Sequence, residues 1–66
     1  THPEAVIIRA GTQALFAPMA GALVHFALPE GSLVQVREVS GAWRKVAVGR
    51  QEGWILSDSC EQLSLP

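Results

Sequence analysis

The sequence is short of cysteine and aromatic residues, has no surplus of either charge and contains no long apolar run, and each shortage narrows what the chain can be. A single cysteine, Cys60, admits no internal disulfide, so the fold must hold without a covalent staple. Five Lys+Arg stand against six Asp+Glu, for a net charge of −1, and no basic cluster is longer than Arg44-Lys45. Phosphate binding needs a concentrated positive face, so nucleic acid is not an expected partner. No apolar run approaches the roughly 20 residues that span a bilayer, and no internal repeat or low-complexity segment is present.

What is there is 48% hydrophobic and 17% charged residues, a balance that argues against disorder and for a soluble globular unit. At 66 residues the chain is one domain. A domain of this size buries only about 60% of the surface its unfolded chain exposes, so its core must be economical. The opening Thr1-His2-Pro3-Glu4 reads as the start of an excised piece of a longer protein, with any targeting information expected upstream.

Short apolar segments separated by turn residues dominate the chain. Ala5-Val6-Ile7-Ile8-Arg9 reads as a first strand ended by Ala10-Gly11. From Thr12 to Glu30 the pattern weakens: Ala14-Leu15-Phe16-Ala17 reads as extended, Pro18 and Gly21 interrupt, and Ala22–Leu28 resumes an apolar run. Alternation there sets Leu23, His25 and Ala27 on one face and Val24, Phe26 and Leu28 on the other. Alanine content makes a helix over Met19–Leu28 the second choice, disfavoured by the flanking Pro18 and Pro29 and by the β-branched and aromatic residues. Pro29-Glu30-Gly31-Ser32 is a turn. Val34 and Val36 then alternate with Gln35 and Arg37 in a strand buried on one face. Ser40-Gly41 turns the chain into Ala42–Val48, where Val46 and Val48 suit the core and Trp43 and Lys45 point the other way. Gly49–Gly53 reads as a hairpin loop before the strand Trp54-Ile55-Leu56. Five or six short strands without sustained helical spacing predict an all-β small barrel over residues 5–63, with 1–4 and 64–66 as flanking tails. In it Val34, Val36, Val46, Val48 and Ile55 are expected inside.

The segment Gly53-Trp54-Ile55-Leu56-Ser57-Asp58-Ser59-Cys60-Glu61-Gln62-Leu63 resembles the last strand, single-turn helix and closing strand of a Src-homology-3 (SH3) barrel, Gly-aromatic-Ile-Pro-Ser-Asn-Tyr-Val-x-x-Leu. With Gly31-x-x-Val34-x-Val36 and Gly41-x-Trp43-x-x-Val46 before it, the chain is similar to bacterial SH3-like (SH3b) domains over approximately Ala5 to Leu63. It is also similar to the C-terminal SH3-like domain of Bat-type tetratricopeptide-repeat proteins. The resemblance implies a barrel with a single-turn helix before the last strand, and a non-enzymatic module without cofactor or metal. Two departures weigh on the ligand. The family's groove Pro and Tyr are Leu56 and Ser59 here, and no acidic residue lies between Thr12 and Leu28 to bind the Arg of a proline-rich peptide. Where the family reads Asn-Val-Arg-Ser-Gly-Pro, Ala14-Leu15-Phe16-Ala17-Pro18 keeps only the aliphatic residue and the proline.

The expected binding residues are Trp43, Phe16, Pro18 and Met19. Trp43 matches the groove tryptophan of the eukaryotic relatives, and Trp supplies the amphipathic area that anchors interfaces. Its alternative is to cover a core edge against Phe16 or Pro18. Trp54 is expected to pack. Phe16 and Met19 form a partner surface if exposed, and seal one barrel mouth if they fold back. Cys60 and His25 lack the third orienting group and the oxyanion loop that thiolate catalysis would need. His2, His25, Cys60 and Asp58 have no metal-ligand spacing. Arg37, Arg44, Lys45 and Arg50 read as ordinary solvated charges. The expected function is a protein or peptide interaction module of a larger bacterial protein, its partner sometimes another part of the parent chain. The alternatives are a peptidoglycan-binding module that targets a hydrolase, or a structural cap on a repeat array. The parent protein is expected in the cell envelope or periplasm.

Overall fold

Alternating apolar and polar residues build Leu33–Ser40 as the longest strand, and six others assemble around it. The computed structural model describes residues 3–63. Its strands are β1 (Glu4–Ile7), β2 (Thr12–Leu15), β3 (Val24–Leu28), β4 (Leu33–Ser40), β5 (Trp43–Val48), β6 (Gln51–Leu56) and β7 (Cys60–Leu63), with a single 3-10 turn (Ser57–Ser59) before the last. All pair antiparallel in one sheet of order β3-β2-β6-β5-β4-β1-β7. Every strand sends at least one side chain to a common core. Ala5, Ile7, Ala14, Leu28, Val34, Val36, Val46 and Ile55 are buried there, with Phe26, Val48 and Cys60 packed against them. The sheet therefore curls around its own inner face. The four valines and Ile55 expected inside are there, Val48 at the margin.

Seven strands form rather than five or six, because the long segment between the first strand and Pro29 is itself a hairpin. Thr12↔Leu28, Gln13↔Ala27 and Ala14↔Phe26 pair in register before a shift at Leu15↔Val24. No helix forms over Met19–Leu28: Val24–Leu28 is a strand, its Phe26 and Leu28 facing the core and its Ala27 exposed. The first strand ends at Ile7, and Glu4 joins the sheet while the Val36 amide donates to the Pro3 carbonyl at 2.8 Å. Residues 1–2 and 64–66 of the expected tails, His2 among them, lie outside the described residues.

The hairpin loops are tighter than the sequence suggests. Ser40↔Trp43 and Val48↔Gln51 pair across two-residue loops, Gly41-Ala42 and Gly49-Arg50. The first residue of each loop has positive φ, 59° and 61°, and no non-glycine residue among those described does, which fits type II′ turns with Gly leading. Gln51, Glu52 and Gly53 are accordingly strand, not loop. Along β4 the register shifts between Val36 and Glu38, so Arg37 is an extra, bulged residue. Glu38 then lies opposite Lys45.

Gly53 has no turn to make, and its φ is unremarkable for a strand. It is buried in β6, where a Cβ would meet the Ala14 Cβ at 2.7 Å and the Phe26 ring at 3.2 Å. Hydrogen in place of a side chain thus lets the β2–β3 hairpin lie down on β6. Thr12, the one buried polar residue among those described, donates through Oγ1 to the Arg9 carbonyl at 2.7 Å, and no buried side-chain polar atom there lacks a partner. The 3-10 turn is held from two sides: the Ser57 amide donates to Ala42 O and the Ile8 amide to Ser59 O. Cys60, half-buried, directs its thiol toward Ser57 O at 3.8 Å.

Three outcomes follow from this packing. Gly53→Ala should lose about 1–3 kcal/mol through overpacking against Ala14, and Val46→Ala on the order of 1–3 kcal/mol through lost burial and an unfilled cavity. An unchanged denaturation midpoint in either variant would contradict the register. Burial pushes the Cys60 thiol above its ordinary value of 9.0, and the nearby Arg44 guanidinium opposes this in part. The folded chain therefore keeps the thiol proton at pH values where the unfolded chain has lost it, so this contribution to stability is present below about pH 9.0 and fades as pH rises toward the folded value. The difference in stability between wild type and Cys60→Val should accordingly shift in favour of the variant as pH rises through that window. A difference that stays constant would contradict the burial.

Candidate functional site

Trp43 opens β5, and alternation puts it on the face opposite Val46. Its cross-strand neighbour is Leu56, the residue that precedes the 3-10 turn. The half-buried indole lies in an open groove of about 270 Å³. Leu56 and Ser59 line one side, and the chain from Arg9 to Gln13, with Leu15, lines the other. Leu56 and Ser59 thus line the same groove as Trp43. The opposing wall is held in place by the Thr12–Arg9 bond and by Arg9 itself. Arg9 Nε donates to Asp58 O at 3.0 Å, while its Nη2 stands 3.6 Å from the Asp58 carboxylate. Both side chains are largely exposed, so the pair adds little stability. Its effect is positional: it ties the start of the long segment to the 3-10 turn across one end of the groove.

The other three expected binding residues lie elsewhere. Phe16, Pro18 and Met19 do not line this groove; Leu15, their neighbour, does. Phe16 stacks on His25, ring centroids 4.3 Å apart, and His25 meets Phe26 edge to face at 5.0 Å. Phe16 and Met19 are each 59% exposed, so they seal no barrel mouth. Pro18 is half-buried between them. Trp54 is half-buried on the outer face. It pairs with Leu15 of β2 on one side and Lys45 of β5 on the other, and the Lys45 ammonium stands 6.0 Å from its ring.

The basic residues form no strip. Lys45 lies within 3.3 Å of Glu38 and 3.6 Å of Glu52, and Arg37 approaches Glu52 at 3.9 Å, a chain of ion pairs across β4, β5 and β6. Arg44 turns its Nη1 to the Gly41 and Trp43 carbonyls. The thiol of Cys60 and the imidazole of His25 sit on β7 and β3, the two ends of the strand order, and their neighbours are a carbonyl and two phenyl rings. Among the described residues no three His, Cys, Asp or Glu side chains gather as a metal site.

Sequence reasoning missed the wall formed by Arg9, Thr12, Gln13 and Leu15. The signal was present in Arg9-Ala10-Gly11-Thr12, where a positive-φ glycine (φ 72°) precedes a hydroxyl that can bond three residues back. Among the described residues no helix is long and apolar enough to cross a membrane. No family model, no curated protein and no solved structure matches this chain.

Proposed function

We propose that this domain is a non-catalytic interaction module of the SH3b kind, part of a larger bacterial protein, and that it docks an extended protein or peptide segment in the Trp43 groove. The observation that supports this reading is the groove's make-up: an outward indole, two aliphatic side chains and the polar Thr12, Gln13 and Ser59 along one open channel. Aromatic anchors with a polar rim are how interfaces concentrate binding energy. Enclosed small-molecule sites commonly occupy about 300–1,000 Å³, and an open groove of about 270 Å³ suits two or three side chains of a passing peptide better.

The groove's charge separates this reading from proline-rich recognition of the eukaryotic type. Its one charged lining residue is Arg9, and no carboxylate lines it. A basic ligand residue would meet a like charge, and a polyproline helix would find Leu56 and Ser59 where an aromatic-lined channel is wanted.

Nuclear magnetic resonance titration of the ¹⁵N-labelled domain with a panel of extended peptides tests both points. A Pro-x-x-Pro-Arg peptide should give no saturable shifts; micromolar binding by it would overturn the ligand assignment. A binding peptide should move Trp43 Nε1, Leu56, Ser59 and Thr12 together. Trp43→Ala should weaken that binding by about 2 kcal/mol or more while the barrel stays folded. Shifts confined to other surfaces, or undiminished binding by the variant, would remove the groove from the account.

A further inference from the structure

Between Arg9 and Glu30 the chain carries no Asp, Glu, Lys or Arg, while all eleven of its charged residues lie outside that stretch. The stretch folds as the β2–β3 hairpin, and its outer strand β3 is an edge of the sheet. Among the described residues, no backbone group of Val24–Leu28 bonds anything beyond the β2 ladder. Four large apolar side chains stand in solvent on the same hairpin: Phe16, Met19, Val24 and, at 78% exposure, Leu23. Such an edge is an open template for strand pairing, which proteins ordinarily blunt with charge or proline. The opposite edge, β7, carries Glu61. β3 carries no such guard.

We propose that this hairpin is the interface of a symmetric homodimer, in which β3 pairs antiparallel with β3 of a second copy and Phe16, Leu23 and Val24 close over the joint. Antiparallel pairing of identical edges is self-complementary about a two-fold axis. A two-fold contact brings a patch against its own copy, so a patch of one sign repels itself, and the uncharged hairpin is the surface where two copies of this chain meet without that cost. A charged partner would find nothing there to complement. A bilayer fits less well, because the open edge would leave backbone groups unbonded in hydrocarbon and the hairpin offers no Lys or Arg to anionic headgroups. Size also permits it. A standard interface takes roughly 800 Å² per partner, under a fifth of the chain's 4343 Å², and the hairpin spans more than a quarter of the described residues. The Trp43 groove is bordered by β2 rather than β3, so the dimer would leave it open.

Sedimentation equilibrium of the chain from micromolar to submillimolar concentration tests the proposal, with amide hydrogen exchange as a second readout. A monomer–dimer equilibrium is expected, with Val24–Ala27 amides better protected at high concentration than at low. Ala27→Lys and Leu23→Lys, each at an exposed position, should weaken dimerisation at least about tenfold with unchanged circular dichroism. If Ala27→Lys disturbs the fold, Leu23→Lys decides, since that side chain packs on little. A monomer at every concentration would overturn the proposal and leave the hairpin to a different partner. A dimer indifferent to Leu23→Lys, or one without concentration-dependent protection of β3, would overturn it equally.

Discussion

The close approach of β2 to β6 at Gly53 is the contact on which the rest of this structure depends. Of the glycines, Gly53 alone sits where an added Cβ would strike a neighbour, with Ala14 at 2.7 Å. Because the approach is possible, Ala14, Phe26 and Leu28 reach the core and cover what the shorter strands leave open. The same approach places Leu15 opposite Trp54 and so carries Thr12 and Gln13 to the far wall of the Trp43 groove. A small domain has little buried surface to spare. One glycine in a strand therefore bears on both core closure and site geometry.

Electrostatics and burial divide the molecule in a way that composition alone conceals. The ion pairs of Glu38, Lys45, Glu52 and Arg37 occupy the outer face of β4, β5 and β6, and the Arg9–Asp58 pair fastens one end of the groove. Each such surface pair contributes little stability on its own, about 0–1 kcal/mol. Their distribution matters more, since it leaves the β2–β3 hairpin as an uncharged projection from a charged barrel. The groove and the hairpin edge are accordingly surfaces of different chemistry, one amphipathic and concave, the other apolar with an open strand edge.

Much of the barrel was legible in the sequence because its signals are local. Alternation in Leu33–Val39 and Ala42–Val48 identified the core valines, and Ser40-Gly41 marked a real turn. The long segment was less readable. Its strands pair across a loop of eight residues, Phe16–Leu23, with a register shift at Leu15, and neither feature leaves a periodic trace. Gly53 reads in the sequence as part of a loop because glycine most often signals a turn, whereas here it answers to a distant alanine. For the site, the outward direction of Trp43 could be read from strand parity. Its opposing wall could not, since that wall depends on where the chain from Arg9 to Leu15 lands, a matter of tertiary packing. Phe16 and Met19 were singled out for their apolar character, and that character is exposed, but on the hairpin and away from Trp43.

The most direct test of this organisation is a nuclear Overhauser measurement between the Ala14 methyl group and the two α-protons of Gly53. The account predicts strong cross-peaks there, together with contacts from the Phe26 ring to the same glycine. Absence of both, in a spectrum where the Val46 and Ile55 methyl groups show core contacts, would mean that the hairpin does not lie on β6, and the groove wall would go with it.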